Sequence, residues 1–200
     1  MLNWIQRVRF IIVLVTATVS ATLAGQLHWV GNGTGNGRFW DKTANWSLTQ
    51  GGAGGAGVPT ASDDVFVDGG GALQINTTAA CLSYNQSVSG GTKDFINNAT
   101  LTVGTGGFTI SGGALTITTT NNVITVAGDW TQTGGTFSEG TGLVVLNGTS
   151  VQTVSGTSQF TNLTVNNSAG VNLSPDVTVT GALTLTSDRK STRLNSSHRL

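Results

Sequence analysis

Residues 160–186 read FTNLTVNNSAGVNLSPDVTVTGALTLT, and apolar residues in them alternate with polar ones. Val177, Val179, Leu183 and Leu185 are each followed by a threonine, which is the period-2 pattern of strands with one buried face. Gly, Asn, Ser and Pro interrupt the pattern every few residues, so each strand is predicted to be very short. Short strands separated by turns and repeated along a chain are typical of a β-solenoid.

The alternation extends over most of the preceding chain. Pairs of apolar residues that are predicted to point inward recur along it at Leu101/Val103, Phe108/Ile110, Leu115/Ile117, Ile124/Val126, Val144/Leu146, Val151/Val154, Leu163/Val165 and Val171/Leu173. Three such segments would make one coil. An antiparallel sandwich is the competing fold, but it normally has strands of about five or six residues, longer than most segments here. The pattern therefore favours an all-β chain folded as a parallel β-helix, with repeats over residues 63–187.

An irregular, aromatic segment, residues 25–62, precedes the repeats. A solenoid needs a cap, because an uncovered first coil would expose both its core and its strand edge. We predict that this Trp-rich segment is the N-terminal cap. An alternative remains open, since flat aromatic rings can also stack on sugars. Trp29, Trp40 and Trp46 are therefore the candidate ligand-binding residues.

The two ends of the chain do not share the repeat pattern. Residues 1–24 have arginines before a short apolar run and small residues after it, as in a secretory signal peptide. The run is shorter than the roughly 20 residues that span a bilayer, so no transmembrane helix is predicted after its removal. Residues 188–198 agree with the translation of a sequencing-library adapter, and we interpret residues 188–200 as an artefactual tail. We expect the natural protein to continue past Ser187.

Charge excludes one class of partner. Residues 25–187 contain three basic and eight acidic residues, a net charge of −5. A surface so poor in cations is unsuited to phosphate backbones, so no nucleic-acid binding is predicted.

The repeats lack the residues of a catalytic centre. Residues 96–187 contain no Lys, Arg or His, and their only acids are Asp129, Glu139 and Asp176, far apart in sequence. A glycosidase needs two carboxylates flanking the scissile bond, and a lyase needs a base. His28, beside Trp29, is predicted to belong to the cap. We therefore expect no catalysis in this chain and no cofactor.

One acidic cluster is the candidate metal site. Asp63, Asp64 and Asp68 could supply the oxygen ligands that calcium prefers. The Gly-Gly-x-Gly-x-Asp nonapeptide of calcium-binding solenoids is missing, and turn chemistry at a strand entry also accounts for Asp63 and Asp64. Cys81, the single cysteine, is predicted to be a small buried core residue.

Several short motifs occur along the chain: LHWVG (27–31), FWD (39–41), ANWS (44–47), GDWT (128–131), GGTF (134–137), QTVSG (152–156) and FTNLTV (160–165). These motifs resemble those of bacterial secreted β-helical proteins of the adhesin-like and autotransporter-like kind. The resemblance covers most of residues 25–187 and its motifs are structural. It implies a right-handed parallel β-helix at a bacterial cell surface, and it carries no catalytic residues.

These observations predict a secreted or cell-surface structural and adhesion module. A rigid repetitive rod would present weak, multivalent binding surfaces to glycans or surface proteins. The alternative is the N-terminal part of a carbohydrate-active β-helix, a polysaccharide lyase or glycoside hydrolase, whose catalytic coils would follow residue 187.

Overall fold

The computed structural model describes residues 25–32, 34–88, 90–117 and 121–187. The predicted signal peptide and the predicted tail lie outside the described residues. Within these ranges there are 18 β-strands and two 3-10 helices, Gly35–Arg38 and Thr43–Asn45. The strands are Gln26–Trp29 (β1), Trp46–Ser47 (β2), Asp64–Val67 (β3), Leu73–Ile75 (β4), Ala79–Gln86 (β5), Lys93–Phe95 (β6), Thr100–Ile110 (β7), Ala114–Thr116 (β8), Val123–Val126 (β9), Trp130–Gln132 (β10), Thr136–Ser138 (β11), Leu143–Leu146 (β12), Gln152–Gly156 (β13), Gln159–Phe160 (β14), Leu163–Val165 (β15), Val171–Leu173 (β16), Thr178–Val179 (β17) and Leu183–Leu185 (β18).

The strands stack in three columns, which we call side 1, side 2 and side 3. Side 1 contains the first part of β5 and of β7, followed by β9, β12, β15 and β18. Side 2 contains β1, β3, the last parts of β5 and β7, and then β10, β13 and β16. Side 3 contains β4, β6, β8 and β11, while β14 and β17 pair separately.

All of these pairs are parallel, and they join successive coils of the chain. From β3 onward, paired residues lie between 19 positions apart, as Val144 and Leu163 do, and 24 apart, as Tyr84 and Phe108 do. The chain is therefore a β-solenoid of about five turns, which confirms the predicted fold class and rejects the sandwich. The right hand of the coil stays a prediction.

Apolar side chains of the three sides meet inside the coil. The inward pairs predicted between Leu101 and Val126 are all buried, as are Val144, Leu146, Leu163 and Val165. On side 2 the rings of Tyr84, Phe108 and Trp130 stack across three coils, with centroids 4.9 and 4.2 Å apart. Leu173, Leu183 and Leu185 are exposed, because no further coil covers them within residues 25–187.

One predicted inward position is wrong. Val151 is 56% exposed, and Gln152 points inward in its place. The Gln152 amide donates from Nε2 to the Val126 carbonyl oxygen at 3.0 Å and accepts at Oε1 from the Gly148 N–H at 2.8 Å. Gln152 thus provides hydrogen-bond partners for backbone groups at a corner of the coil. A valine at this position would leave those groups without partners.

Glycines shape the corner between side 2 and side 3. Gly91, Gly113 and Gly135 follow one another at intervals of one coil and have φ of +65°, +73° and +64°. A side chain at Gly113 would also clash with the Val88 carbonyl oxygen of the coil below. Each coil can turn here only because the position has no Cβ.

The segment before β3 closes the N-terminal end of the stack. β1 extends side 2 as a parallel partner of β3, and Phe39 forms a parallel bridge to Gln74 on side 3. The chain then reverses, and β2 pairs antiparallel with β1. This reversal ends the parallel series, and the Trp-rich cap predicted from the sequence is confirmed.

Candidate functional site

The three cap tryptophans form one buried cluster. Trp29, Trp40 and Trp46 are at most 1% exposed. The Trp46 ring meets the others edge-on, with centroids 5.1 Å from Trp29 and 4.7 Å from Trp40. The Trp46 indole N–H donates to the Trp40 carbonyl oxygen at 2.8 Å, and the Trp29 indole N–H donates to that of Gly71 at 3.2 Å. None of the three offers a ring face to a ligand, so the geometry supports their packing role in the cap.

The three candidate calcium ligands have separate partners. Asp63 accepts hydrogen bonds from the N–H and hydroxyl of Thr60 at 2.8 and 2.7 Å. Asp64 accepts one from the Ser83 hydroxyl at 2.5 Å, and Asp68 contacts His28. The residues that the structure describes contain no group of three or more His, Cys, Asp or Glu side chains that could hold a metal. The three carboxylates are therefore not gathered around one point, since each of them contacts a different residue.

A histidine–aspartate pair joins the cap to the first coil. His28 Nδ1 lies 2.7 Å from Asp68 Oδ2, and the imidazole stacks on Phe66 with centroids 4.9 Å apart. Ser47 lies opposite His28 in the β1–β2 pair, but it is buried and its Oγ accepts a hydrogen bond from the Thr49 N–H at 3.2 Å. Among the described residues Ser47 and His28 share no hydrogen bond, so the three side chains do not form a nucleophile relay.

Lys93 is a buried cation inside the solenoid. It occupies an inward position on side 3 between Leu73 and Leu115. Its Nζ donates to the carbonyl oxygens of Gly90 and Gly91 at the neighbouring corner. Burial lowers the pKa of this ammonium. The sequence gives no sign of this placement, because a lysine normally interrupts an inward pattern.

Cys81 is buried, as predicted from the sequence. Burial raises the pKa of the thiol, and the carboxylates of Asp64 and Asp63 raise it further. The group therefore stays in the thiol form, which is neither a good nucleophile nor a metal ligand.

Glu139 is the most perturbed acid of the repeats. It is buried where one coil passes to the next, and its carboxylate accepts hydrogen bonds from the backbone N–H groups of Thr161 at 2.6 Å and Asn162 at 3.1 Å. Burial raises its pKa from 4.5 to about 7, although these N–H groups act in the opposite direction. The carboxylate thus links two coils at a corner.

This raised pKa predicts a pH-dependent stability. The folded chain holds the Glu139 proton more tightly than the unfolded chain, so the stabilisation is complete below pH 4.5 and is lost as the pH rises to about 7. The loss is on the order of 3 kcal/mol, since the pKa rises from 4.5 to about 7 and one pKa unit corresponds to about 1.4 kcal/mol. Urea unfolding at pH values across this window measures it. Glu139→Gln is expected to flatten the slope, and Ser138→Ala, at the exposed neighbouring position, is expected to keep it. An unchanged slope in Glu139→Gln would contradict the assignment.

A groove of about 590 Å³ opens on the cap. Two hydrogen bonds from Asn45 Nδ2, to the carbonyl oxygens of Asn36 and Phe39, are both 2.8 Å long and tie the two 3-10 helices together. The Val30 N–H donates to the Asn45 carbonyl oxygen at 2.9 Å and fixes the helices to the end of β1. The groove is lined by Val30, Asn32, Asn36, Asp41, Lys42 and Thr43, among others.

One ion pair lies at this groove. Lys42 Nζ contacts Asp41 Oδ2 at 2.9 Å, with both side chains more than a third exposed. Burial acts to raise the pKa of Asp41, but the hydrogen bonds from Lys42 and Asn76 and the Lys42 charge outweigh it, so the pKa is lowered. The Asn36 amide and the Thr43 hydroxyl are exposed and have no hydrogen-bond partner in the described ranges. The groove therefore combines one balanced ion pair with free neutral donors and acceptors.

No protein-family model matches the chain, and comparisons with curated proteins and with solved structures find no match. Within the described residues no helix is long and apolar enough to cross a membrane. What the chain does is therefore inferred from its own residues and their arrangement.

Proposed function

We propose that the chain is a rigid structural module of a secreted bacterial surface protein, whose coils present weak, repeated binding surfaces. The observation that carries this proposal is the register of side 1. Thr102, Thr125, Val145, Thr164 and Thr184 occupy equivalent outward positions on successive coils. Because neighbouring strands are about 4.8 Å apart, a small β-branched side chain, threonine at four of these five positions, recurs at a constant short interval along the rod.

Such a face suits neutral partners. The threonines offer a hydroxyl and a methyl group each, and the side-1 strands from β7 to β18 contain no charged residue. Glycans and surface proteins can meet such a face through hydrogen bonds and van der Waals contacts. Each contact is weak, and repetition along the rod and across many copies supplies the strength of attachment.

Export and location belong to the same proposal. Residues 1–24 would direct the chain out of the cytoplasm, and the resemblance to adhesin-like proteins supports a bacterial cell surface. We propose that the chain itself performs no catalysis. The carbohydrate-active alternative stays a prediction, and cleavage of any polysaccharide by the chain would support it.

Multivalent retention tests the proposed function. The chain is coupled to microspheres at high density, and their retention on glycan-coated and bacterial surfaces is compared with binding of the soluble chain. The expected result is an apparent affinity about 10²–10⁴ times higher for the beads. Equal binding by beads and soluble chain, or no retention on any surface, would reject the adhesive role.

A further inference from the structure

We propose that the cap groove is a binding site for a neutral saccharide. This inference rests on the proposed function and names its ligand class and its location. The groove has a volume of about 590 Å³, which lies within the range of roughly 300–1,000 Å³ that is usual for small-molecule sites.

The groove is pre-formed. Asn45 is buried and holds both 3-10 helices through its amide, and Trp40 and Trp46 pack beside the helices in the buried cluster. A ligand therefore meets a backbone that is already in place, which reduces the entropy lost on binding. The tryptophans contribute by supporting the helices and not by stacking on the sugar.

Charge selects against ions. Asp41 and Lys42 give the groove a net charge of zero, and they lie 2.9 Å apart. An anionic ligand would meet the Asp41 carboxylate, and a metal cation would meet the Lys42 ammonium. A neutral ligand avoids both repulsions. It can also use the remaining donors of Lys42 and the remaining acceptor capacity of Asp41.

The free polar groups match sugar hydroxyls. A hydroxyl both donates and accepts, and the Asn36 amide and the Thr43 hydroxyl offer the same pair of functions at the groove. Asn32 adds an amide whose Oδ1 already accepts from the Thr34 N–H at 3.0 Å, which leaves its N–H groups for a ligand. Val30 supplies an apolar contact for the C–H face of a pyranose.

Backbone amide shifts of the full chain, labelled with ¹⁵N, test this site. The probes are neutral oligosaccharides of glucose, mannose, galactose and N-acetylglucosamine, together with oligogalacturonate, inorganic phosphate and calcium chloride. At least one neutral oligosaccharide is expected to shift residues 32–45 with a Kd of about 1 mM. Asn36→Ala and Thr43→Ala each weaken that binding about tenfold, the loss of one hydrogen bond. Thr105→Ala, exposed on β7 and outside the groove, leaves it unchanged.

Three results would overturn the site. They are shifts at residues 32–45 with oligogalacturonate or the ions only, saccharide binding at other residues, and no shift with any neutral saccharide up to roughly tens of millimolar. Beads coated with the variant that combines Asn36→Ala and Thr43→Ala are then tested for retention on the same glycan-coated and bacterial surfaces. Their retention would show that adhesion persists without the groove. Loss of groove binding and failure of the proposed function are thereby separated.

Discussion

Replacing Trp130 with alanine is expected to lower the free energy of unfolding by about 4 kcal/mol. Trp130 is fully buried, and its ring stacks on Phe108 at 4.2 Å and meets Phe137 and Phe160 edge-on at 4.9 and 5.1 Å. It thus joins aromatic side chains from several coils. The backbone ladders hold those coils at a fixed spacing, so the neighbours cannot collapse into the cavity that alanine leaves.

Urea unfolding followed by far-UV circular dichroism measures this loss. Because each coil contacts only its neighbours, the weakened coils are expected to unfold in a separate, earlier transition. Trp130→Phe is the matched variant, since it keeps a ring but loses the indole N–H bond to the Ser158 hydroxyl at 2.9 Å, for about 1–2 kcal/mol. Thr133→Ala, at an exposed position just after β10, is the control and should stay within about 0.5 kcal/mol of wild type. A loss below about 1 kcal/mol in Trp130→Ala would contradict the proposed packing.

The fold could be predicted because its rule is local. The sequence has an inward apolar residue at every second position and a turn every few residues. Strands this short bury their apolar side chains by stacking in parallel on the coils above and below. Phe108 and Ile110 follow this rule and are buried. The alternation mispredicts Val151, because the backbone groups at a corner of the coil need hydrogen-bond partners as well as apolar contacts. Gln152 provides such a bond to the Val126 carbonyl oxygen of the neighbouring coil, and this contact cannot be read from the local sequence.

The candidate site was less predictable, because it depends on contacts between distant segments. The sequence locates the tryptophans in the cap, but whether an aromatic ring is covered depends on what packs over it. Asp64 and Asp68 are close in sequence, yet they bond to Ser83 and His28 on other strands. Of the groove side chains proposed to meet the saccharide, only Asn36 and Thr43 lie on the short 3-10 helices, and the others lie in the segments before and between these helices. These segments have no periodicity, and the hydrogen bonds of Asn45 that hold the two helices together become visible only in the structure.

Trp46→Ala is expected to uncover the N-terminal end of the solenoid. The substitution removes the ring contacts to Trp29 and Trp40 and the hydrogen bond to the Trp40 carbonyl oxygen. A loss of about 3–5 kcal/mol follows for a buried tryptophan, and the Tm should fall by about 10 °C. The loosened β2 also exposes the edge of β1, so association of the variant through this edge is expected in light scattering.

The same variant separates the two roles predicted for the tryptophans. If the ring belongs to the packed cap, melting and groove binding fall together, because the helices that line the groove lose their support. If the ring were itself a sugar-stacking surface, saccharide binding would disappear while the Tm stayed unchanged. Leu48→Ala is the control, since Leu48 is 67% exposed two positions further along the chain, and it should leave both measurements unaltered. The edge-on packing of Trp46 between two buried rings predicts the first result, in which stability and binding depend on the same side chain.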